Sequence, residues 1–318
     1  MLDIISITAP VFIMIAIGYA AVYSGVFEAA AMRVLGSYVV YLALPALLFK
    51  AISQRPIAEV VNWSYMAAYL CGSLVVLTAG YFYARRIQKA DMTAAAFSAM
   101  GMVCSNTGFI GYPILLLMLP SIAGVGLALN MIVENIVLIP LLLAIAEAGH
   151  GGPSPVGKML LRTARGLMRN PIIIGLVAGL AASLVELQIP APLMKPIDML
   201  AASSAAVSLL VIGGTLASVS VRGLSGEIAP TVAGKLVFHP LAVFAATGAL
   251  PLAGLAPLSP EMQAAAVILA AVPMMGIYPI LAQRFGRERT SVVAMLMATV
   301  LSFFTLSAVL WFVSTYIL

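Results

Sequence analysis

The sequence predicts an all-α polytopic membrane protein of ten transmembrane helices, arranged as two five-helix inverted repeats. Three observations lead there. Hydrophobic residues make up 63% of the 318 and charged residues 8%, against roughly 45–50% and 25% in soluble domains. So few charges cannot cover a surface in water. At about 20 apolar residues per span, the hydropathy resolves into segments near 4–23, 33–53, 62–84, 91–119, 121–146, 171–189, 197–219, 229–252, 260–284 and 290–316. A linker at 148–170, containing Gly151-Gly152-Pro153-Ser154-Pro155, separates a first repeat at 1–147 from a second at 171–318. An odd number of spans in each repeat obliges the second copy to enter the membrane upside down.

The first segment has only Asp3 before it, no Lys or Arg, and an apolar run longer than a signal-peptide core. It is expected to remain as a helix with its N-terminus outside. That orientation brings Arg33, Arg85, Arg86, Lys89, Lys158, Arg162, Arg165, Arg169, Arg222, Arg284, Arg287 and Arg289 to the cytoplasmic side. Only Lys50, Arg55 and Lys195 fall outside, as the positive-inside rule requires, and the C-terminus is outside too. The net charge of +5 therefore reflects topology. The arginines are scattered over several loops without interleaved aromatics, so no nucleic acid partner is indicated.

Two spans carry nearly the same interruption. The fourth contains Asn106-Thr107-Gly108-Phe109-Ile110-Gly111-Tyr112-Pro113, and the ninth Pro273-Met274-Met275-Gly276-Ile277-Tyr278-Pro279. Pro113 and Pro279 stand 166 residues apart, and the same offset carries Pro45 of the second span to Val211, beside Gly213-Gly214 of the seventh. Gly and Pro at this density unwind a helix. Unwound backbone at membrane depth survives only where it is buried in protein or lines a cavity. Matched interruptions in corresponding positions of two halves point to a transporter's binding site. The plainer alternative is that the prolines only kink two helices at packing contacts.

The other polar residues in the spans are few. Glu134 lies in the fifth span with Asn130 one turn earlier, on the same face, and Asn135 beside it. A carboxylate at that depth marks an ion path or proton relay, unless it is tied structurally to Lys235 of the eighth span. Lys235 itself is placed to snorkel to the cytoplasmic surface. His239, four residues on, has no second His or Cys near it and reads as a bundle hydrogen-bonding group, so no metal is expected. Met274 and Met275 either pack a core or face a ligand's apolar part. Cys71 and Cys104 lie inside spans without metal-ligand spacing.

The stretch Ser105-Asn106-Thr107-Gly108-Phe109-Ile110-Gly111-Tyr112-Pro113 resembles the fourth-helix motif of the auxin efflux carrier family, and the ninth-span Pro-x-x-Gly-x-x-Pro accompanies it. The resemblance covers the whole chain: ten spans, a basic central loop and Pro in the second helix. It implies that broken helices 4 and 9 cross at the midplane and that a small organic anion binds there. Malonate, malate or an auxin-like acid would be such an anion. A short linker, where plant exporters carry a long hydrophilic loop, favours a bacterial metabolite carrier of the inner membrane. The resemblance further implies an elevator-like or rocking movement against a scaffold of spans 1, 2, 6 and 7, and a homodimer. Substrate contacts are expected from Asn106, Thr107, Gly108, Tyr112, Pro113, Asn130, Pro273, Met274, Met275, Gly276, Tyr278, Pro279 and Pro45. Proton or sodium coupling, with no other cofactor, is expected from Glu134, Lys235 and Asn135.

The free amide groups that open the second half of a broken helix carry a partial positive charge. They can hold a carboxylate without a fixed Arg. A membrane enzyme would need clustered His, Cys, Asp or Ser–Lys groups, which two histidines and an isolated Glu134 do not supply. A sodium-coupled bile-acid-type symporter shares the crossing but brings more polar residues to it. A drug/metabolite exporter has inverted five-helix halves without the crossing.

Overall fold

The computed structural model describes residues 2–56, 60–151, 165–166, 168–218 and 226–318. Gly152–Pro155 of the linker, and Lys158, Arg162 and Arg222, lie outside the described residues. The helices are α1 (Leu2–Tyr23), α2 (Ala29–Ser53), α3 (Trp63–Arg86), α4 (Met92–Val103), α5 (Thr107–Met118) and α6 (Ala123–His150). They continue with α7 (Pro171–Leu184), α8 (Ala191–Ser218), α9 (Ile228–Ala253), α10 (Pro260–Ala271), α11 (Tyr278–Gln283) and α12 (Glu288–Tyr316). Six of them are long and apolar enough to cross a membrane: α2, α3, α6, α8, α9 and α12. Large side chains such as Ile13, Val34, Val75, Ile174, Met199 and Phe304 stand more than half exposed, which suits lipid contact and not water.

Where the helices begin and end follows from local chemistry. Asp91 caps α4, its carboxylate accepting from Ala94 N at 2.7 Å. Ser259 accepts from Met262 N at the start of α10, and Asn170 from Ile172 N at the start of α7, each followed by Pro at the first helical position. The α4 helix stops at Cys104 and α10 at Val272, both extended. Pro273 disfavours the helical region for Val272, which accounts for the second stop.

Four helices contain a widened π turn, at Val39–Ala43, Thr107–Gly111, Val133–Leu138 and Gly234–Phe238. Each ends two residues before a proline: Pro45, Pro113, Pro140 and Pro240. A proline ring clashes with the carbonyl four residues earlier, and widening the preceding turn relieves that clash without breaking the helix. Two of these turns carry Glu134 and Lys235.

The chain divides into two compact units. One comprises Met1–Asn62, Gly108–Leu129 and Arg165–Ser220. It therefore gathers the first, second, sixth and seventh spans together with the second half of the fourth and the start of the fifth. Its backbones approach closely at glycines: a Cβ on Gly213 would lie 1.8 Å from Ile15 O, and one on Gly18 2.2 Å from Leu210 O, so α1 and α8 are in contact at main-chain level. Gly175 of α7 meets Pro45 of α2 in the same way. Pro45 also lines a largely apolar groove of about 340 Å³ with Tyr41, Phe49, Ile174 and Ile197. Tyr38 OH and Ser203 Oγ hydrogen bond at 2.7 Å, and Lys50 pairs with Asp198 at 2.8 Å.

The other unit comprises Trp63–Thr107, Asn130–Ala164 and Val221–Leu318. Its core is the pair of half-helices: Thr93–Val103 of α4 is buried throughout, as is Ala264–Ala271 of α10. Helices apolar all round, like these, are buried all round. Small residues let the neighbours close in, with Gly72 of α3 against the Val243 backbone of α9 and Gly149 of α6 against Thr93. At one end Arg287 pairs with Glu227, and Arg284 with Glu147 at 3.2 Å.

Candidate functional site

The chain just after α4 and the chain just after α10 lie side by side within the second unit. Ser105 and Met274 form an isolated antiparallel bridge. Asn106 N donates to Pro273 O at 2.8 Å, and Met275 N donates to Cys104 O at 3.1 Å. Each broken helix thus satisfies backbone groups of the other, which is how unwound chain escapes the cost of unpaired amides at membrane depth. Asn106 is buried, yet its side-chain amide makes no hydrogen bond to any described residue. At Gly276 an added Cβ would meet nothing within 4 Å.

Behind the bridge sits a buried polar network. Glu134 Oε1 accepts from Ser105 N at 2.9 Å, Tyr69 OH at 3.1 Å and Asn130 Nδ2 at 3.1 Å, and Oε2 accepts from Thr107 Oγ1 at 3.3 Å. Asn130 Nδ2 also donates to Thr107 Oγ1 at 2.9 Å, leaving its buried Oδ1 without a partner. Lys235 is fully buried, so it does not snorkel as its position in the sequence allowed. The α9 turn that carries it points the ammonium inward, where its three N–H groups find Ser105 Oγ at 2.5 Å, Ala270 O at 2.8 Å and His239 Nδ1 at 2.9 Å. An ammonium has three donors and no acceptor, so this set is complete. His239 must then accept at Nδ1 and donate its Nε2–H to Ser73 Oγ, 2.9 Å away. The two charges make no direct ion pair; Ser105 stands between them, touching Lys235 with its hydroxyl and Glu134 with its amide. With all three ammonium protons accepted and four donors on the carboxylate, two buried charges become tolerable.

Of the residues singled out in the sequence, the second unit brings together Asn106, Thr107, Asn130, Glu134, Lys235, Pro273, Met274 and Met275. Gly108, Tyr112, Pro113 and Pro45 belong to the first unit. Asn135 turns back onto its own helix, donating to Met131 O at 3.0 Å. Tyr278 gives its hydroxyl to Phe97 O at 2.8 Å and packs against that ring, with Pro279 buried after it. Tyr69 and Ser73 were missed. A signal was present: shifting Lys235 and His239 back by the 166-residue offset lands on Tyr69 and Ser73.

The membrane transport protein family matches residues 3–311. A protein of Rhizobium meliloti (strain 1021) named "Putative malonate transporter" is 29% identical over 315 residues, which is 98% of this chain and 97% of that one. The apolar helices and this match make the chain an integral membrane transport protein and not an enzyme. With paired helix breaks on a buried ionic network and a match along nearly its whole length, the chain belongs to the membrane transport protein family of the auxin efflux carriers.

Proposed function

We propose that the protein is a secondary active carrier of a small organic anion, a carboxylate of the malonate or malate kind, working by alternating access of elevator type. The observation that carries this reading is the bridge between Ser105 and Met274. It supports two discontinuous helices crossing at the bilayer midplane, with the unpartnered amide of Asn106 beside them as a hydrogen-bond donor for a carboxylate. The Rhizobium relative is named for malonate, which suggests the first substrate to try.

The inverted repeat has support of its own. Ser73 and His239 occupy equivalent positions under the 166-residue offset and hydrogen bond to each other. Contact between equivalent residues is what a two-fold axis between repeats produces. The division of the chain favours an elevator: the first, second, sixth and seventh spans as scaffold, the unit with the ionic network as the moving part. Glu134 and Lys235 serve as the coupling pair. In this reading ten spans lie in a bacterial inner membrane with both termini outside, and scaffolds pair in a homodimer.

The test is uptake of labelled malonate and malate into proteoliposomes holding the purified protein, with and without a pH gradient and with and without sodium. Saturable uptake of either acid driven by one of the gradients is expected. Absence of gradient-driven uptake for both would remove the anion-carrier reading.

A further inference from the structure

The direction of each hydrogen bond between Lys235 and Glu134 can be assigned by counting donors. Lys235 can only donate, so Ser105 Oγ accepts from it. The Glu134 carboxylate can only accept, so Tyr69 OH spends its one proton there. Tyr69 and Ser105 are also hydrogen bonded, at 3.1 Å. With the Tyr69 proton committed, Ser105 must be the donor in that contact. The chain from Lys235 through Ser105 and Tyr69 to Glu134 therefore points one way. All four side chains are buried in one unit.

We propose that Ser105 and Tyr69 are a hydroxyl relay that passes one proton from the Lys235 ammonium to the Glu134 carboxylate, so that the buried pair discharges without either group reaching water. In this step an Nζ–H bond breaks and Ser105 Oγ gains that proton. The Ser105 proton moves to Tyr69 Oη, and the Tyr69 proton moves to Glu134 Oε1. The Nζ electron pair stays on nitrogen. The products are a neutral amine and a neutral acid, and net charge is unchanged.

Two features make the discharge consequential. Ser105 N donates to the same Oε1 that receives the proton, and a bond to a charged acceptor is roughly twice as strong as one to a neutral acceptor. Ser105 is also the residue bridged to Met274. Moving the proton therefore loosens one tie on the joined helix breaks. The other titratable groups facing the pair are Tyr65, stacked on Tyr69, Cys104 next to the bridge, and His239 on Lys235. None of them interrupts the relay. The inference rests on the proposed role of Glu134 and Lys235 as the coupling pair.

Temperature-jump infrared spectroscopy of the purified protein in lipid nanodiscs tests it without a substrate. The carbonyl band of protonated Glu134, identified by its loss in Glu134→Gln, is expected to rise after the jump in the wild type and not in Lys235→Met. Tyr69→Phe and Ser105→Ala cut the relay at different links, and each should slow the rise by about a hundredfold, the scale of a lost proton-transfer group. The wild-type rate should fall in heavy water, because three hydrogens move. No Glu134 transient, wild-type rates in both relay variants, or no solvent isotope effect would each overturn the relay. Failure of malonate and malate uptake would instead remove the carrier reading and leave the infrared result standing.

Discussion

The double substitution Glu134→Gln/Lys235→Met measures how the two buried charges depend on each other. Lys235→Met alone removes three hydrogen bonds, leaving Ser105 Oγ, Ala270 O and His239 Nδ1 without their donor. It also leaves Glu134 as a buried carboxylate without a cation. Removing one partner of a buried pair typically costs about 3–5 kcal/mol. Glu134→Gln keeps the shape but turns a fourfold acceptor into an amide, whose N–H₂ group would face donors at one of its two ends. A cost of about 1–3 kcal/mol is expected for that mismatch. Neutralising both ends removes the uncompensated charge, so the double variant should be more stable than the sum of the single losses, by about 2–3 kcal/mol. The assay is reversible unfolding in mixed micelles, with all four proteins measured under one set of conditions. Additivity within about 0.5 kcal/mol, the scatter of independent sites, would mean that Ser105 does not transmit the charge of one group to the other.

Three further outcomes follow from the same geometry. Asn106→Ala should abolish malonate binding and leave the unfolding midpoint unchanged, because the backbone of Asn106 and not its side chain holds the bridge; retained binding would take the residue out of the site. Glu134→Gln should flatten the pH dependence of uptake in proteoliposomes, and an unaltered pH profile would assign Glu134 to structure alone. Gly213→Ala places a methyl against Ile15 O and should destabilise the protein by about 1–3 kcal/mol in the micelle assay, whereas a neutral effect would contradict main-chain contact between α1 and α8.

Much of the fold was written in the hydropathy. The expected segment at 91–119 becomes α4 and α5, and the one at 260–284 becomes α10 and α11. The ninth span divides at Pro273–Ile277, but the fourth divides at Cys104–Asn106, and its Gly108–Pro113 stretch, expected to unwind, stays helical through a widened turn. Charge patterning was less informative about Lys235. Depth in a span does not say which way a long side chain turns, and burial was decided by three acceptors, from the break after α4, from α9 and from α10, that meet only in the folded protein. Tyr69 and Ser73 were hidden for a related reason. A Tyr and a Ser in an apolar helix look like interface or packing residues, and their meaning comes from what stands opposite. The π turns were hidden too, although the cause was visible: Pro140 and Pro240 lie in continuous apolar runs, where a proline must either end the helix or widen it. Tyr112 and Tyr278 precede the matched prolines Pro113 and Pro279 and so share the 166-residue offset. They fall in different units, and only Tyr278 has its hydroxyl tied to Phe97.

Every member of the ionic network belongs to one unit, and this bears on how the pair could couple to transport. A mechanism that breaks the Glu134–Lys235 link in each cycle would leave several satisfied buried groups bare at membrane depth, at a cost of several kcal/mol for each ion. A unit that moves whole carries the network intact and meets no such cost, so coupling then has to work through the charge state of the pair and not through its rupture. A staple inside the unit separates these cases. A Cβ on Gly149 would lie 2.7 Å from Thr93 Oγ1 and 2.8 Å from Thr93 N, so Thr93→Cys/Gly149→Cys can join α4 to α6 by a disulfide once the two backbones ease apart by a few tenths of an ångström. Oxidising that pair should leave malonate uptake within about twofold of the reduced protein if the unit moves as a body, since a factor of that size corresponds to only about 0.4 kcal/mol. Loss of uptake on oxidation, restored by reduction, would show that α4 and α6 must shift against each other during transport, and the ionic network between them would then have to break.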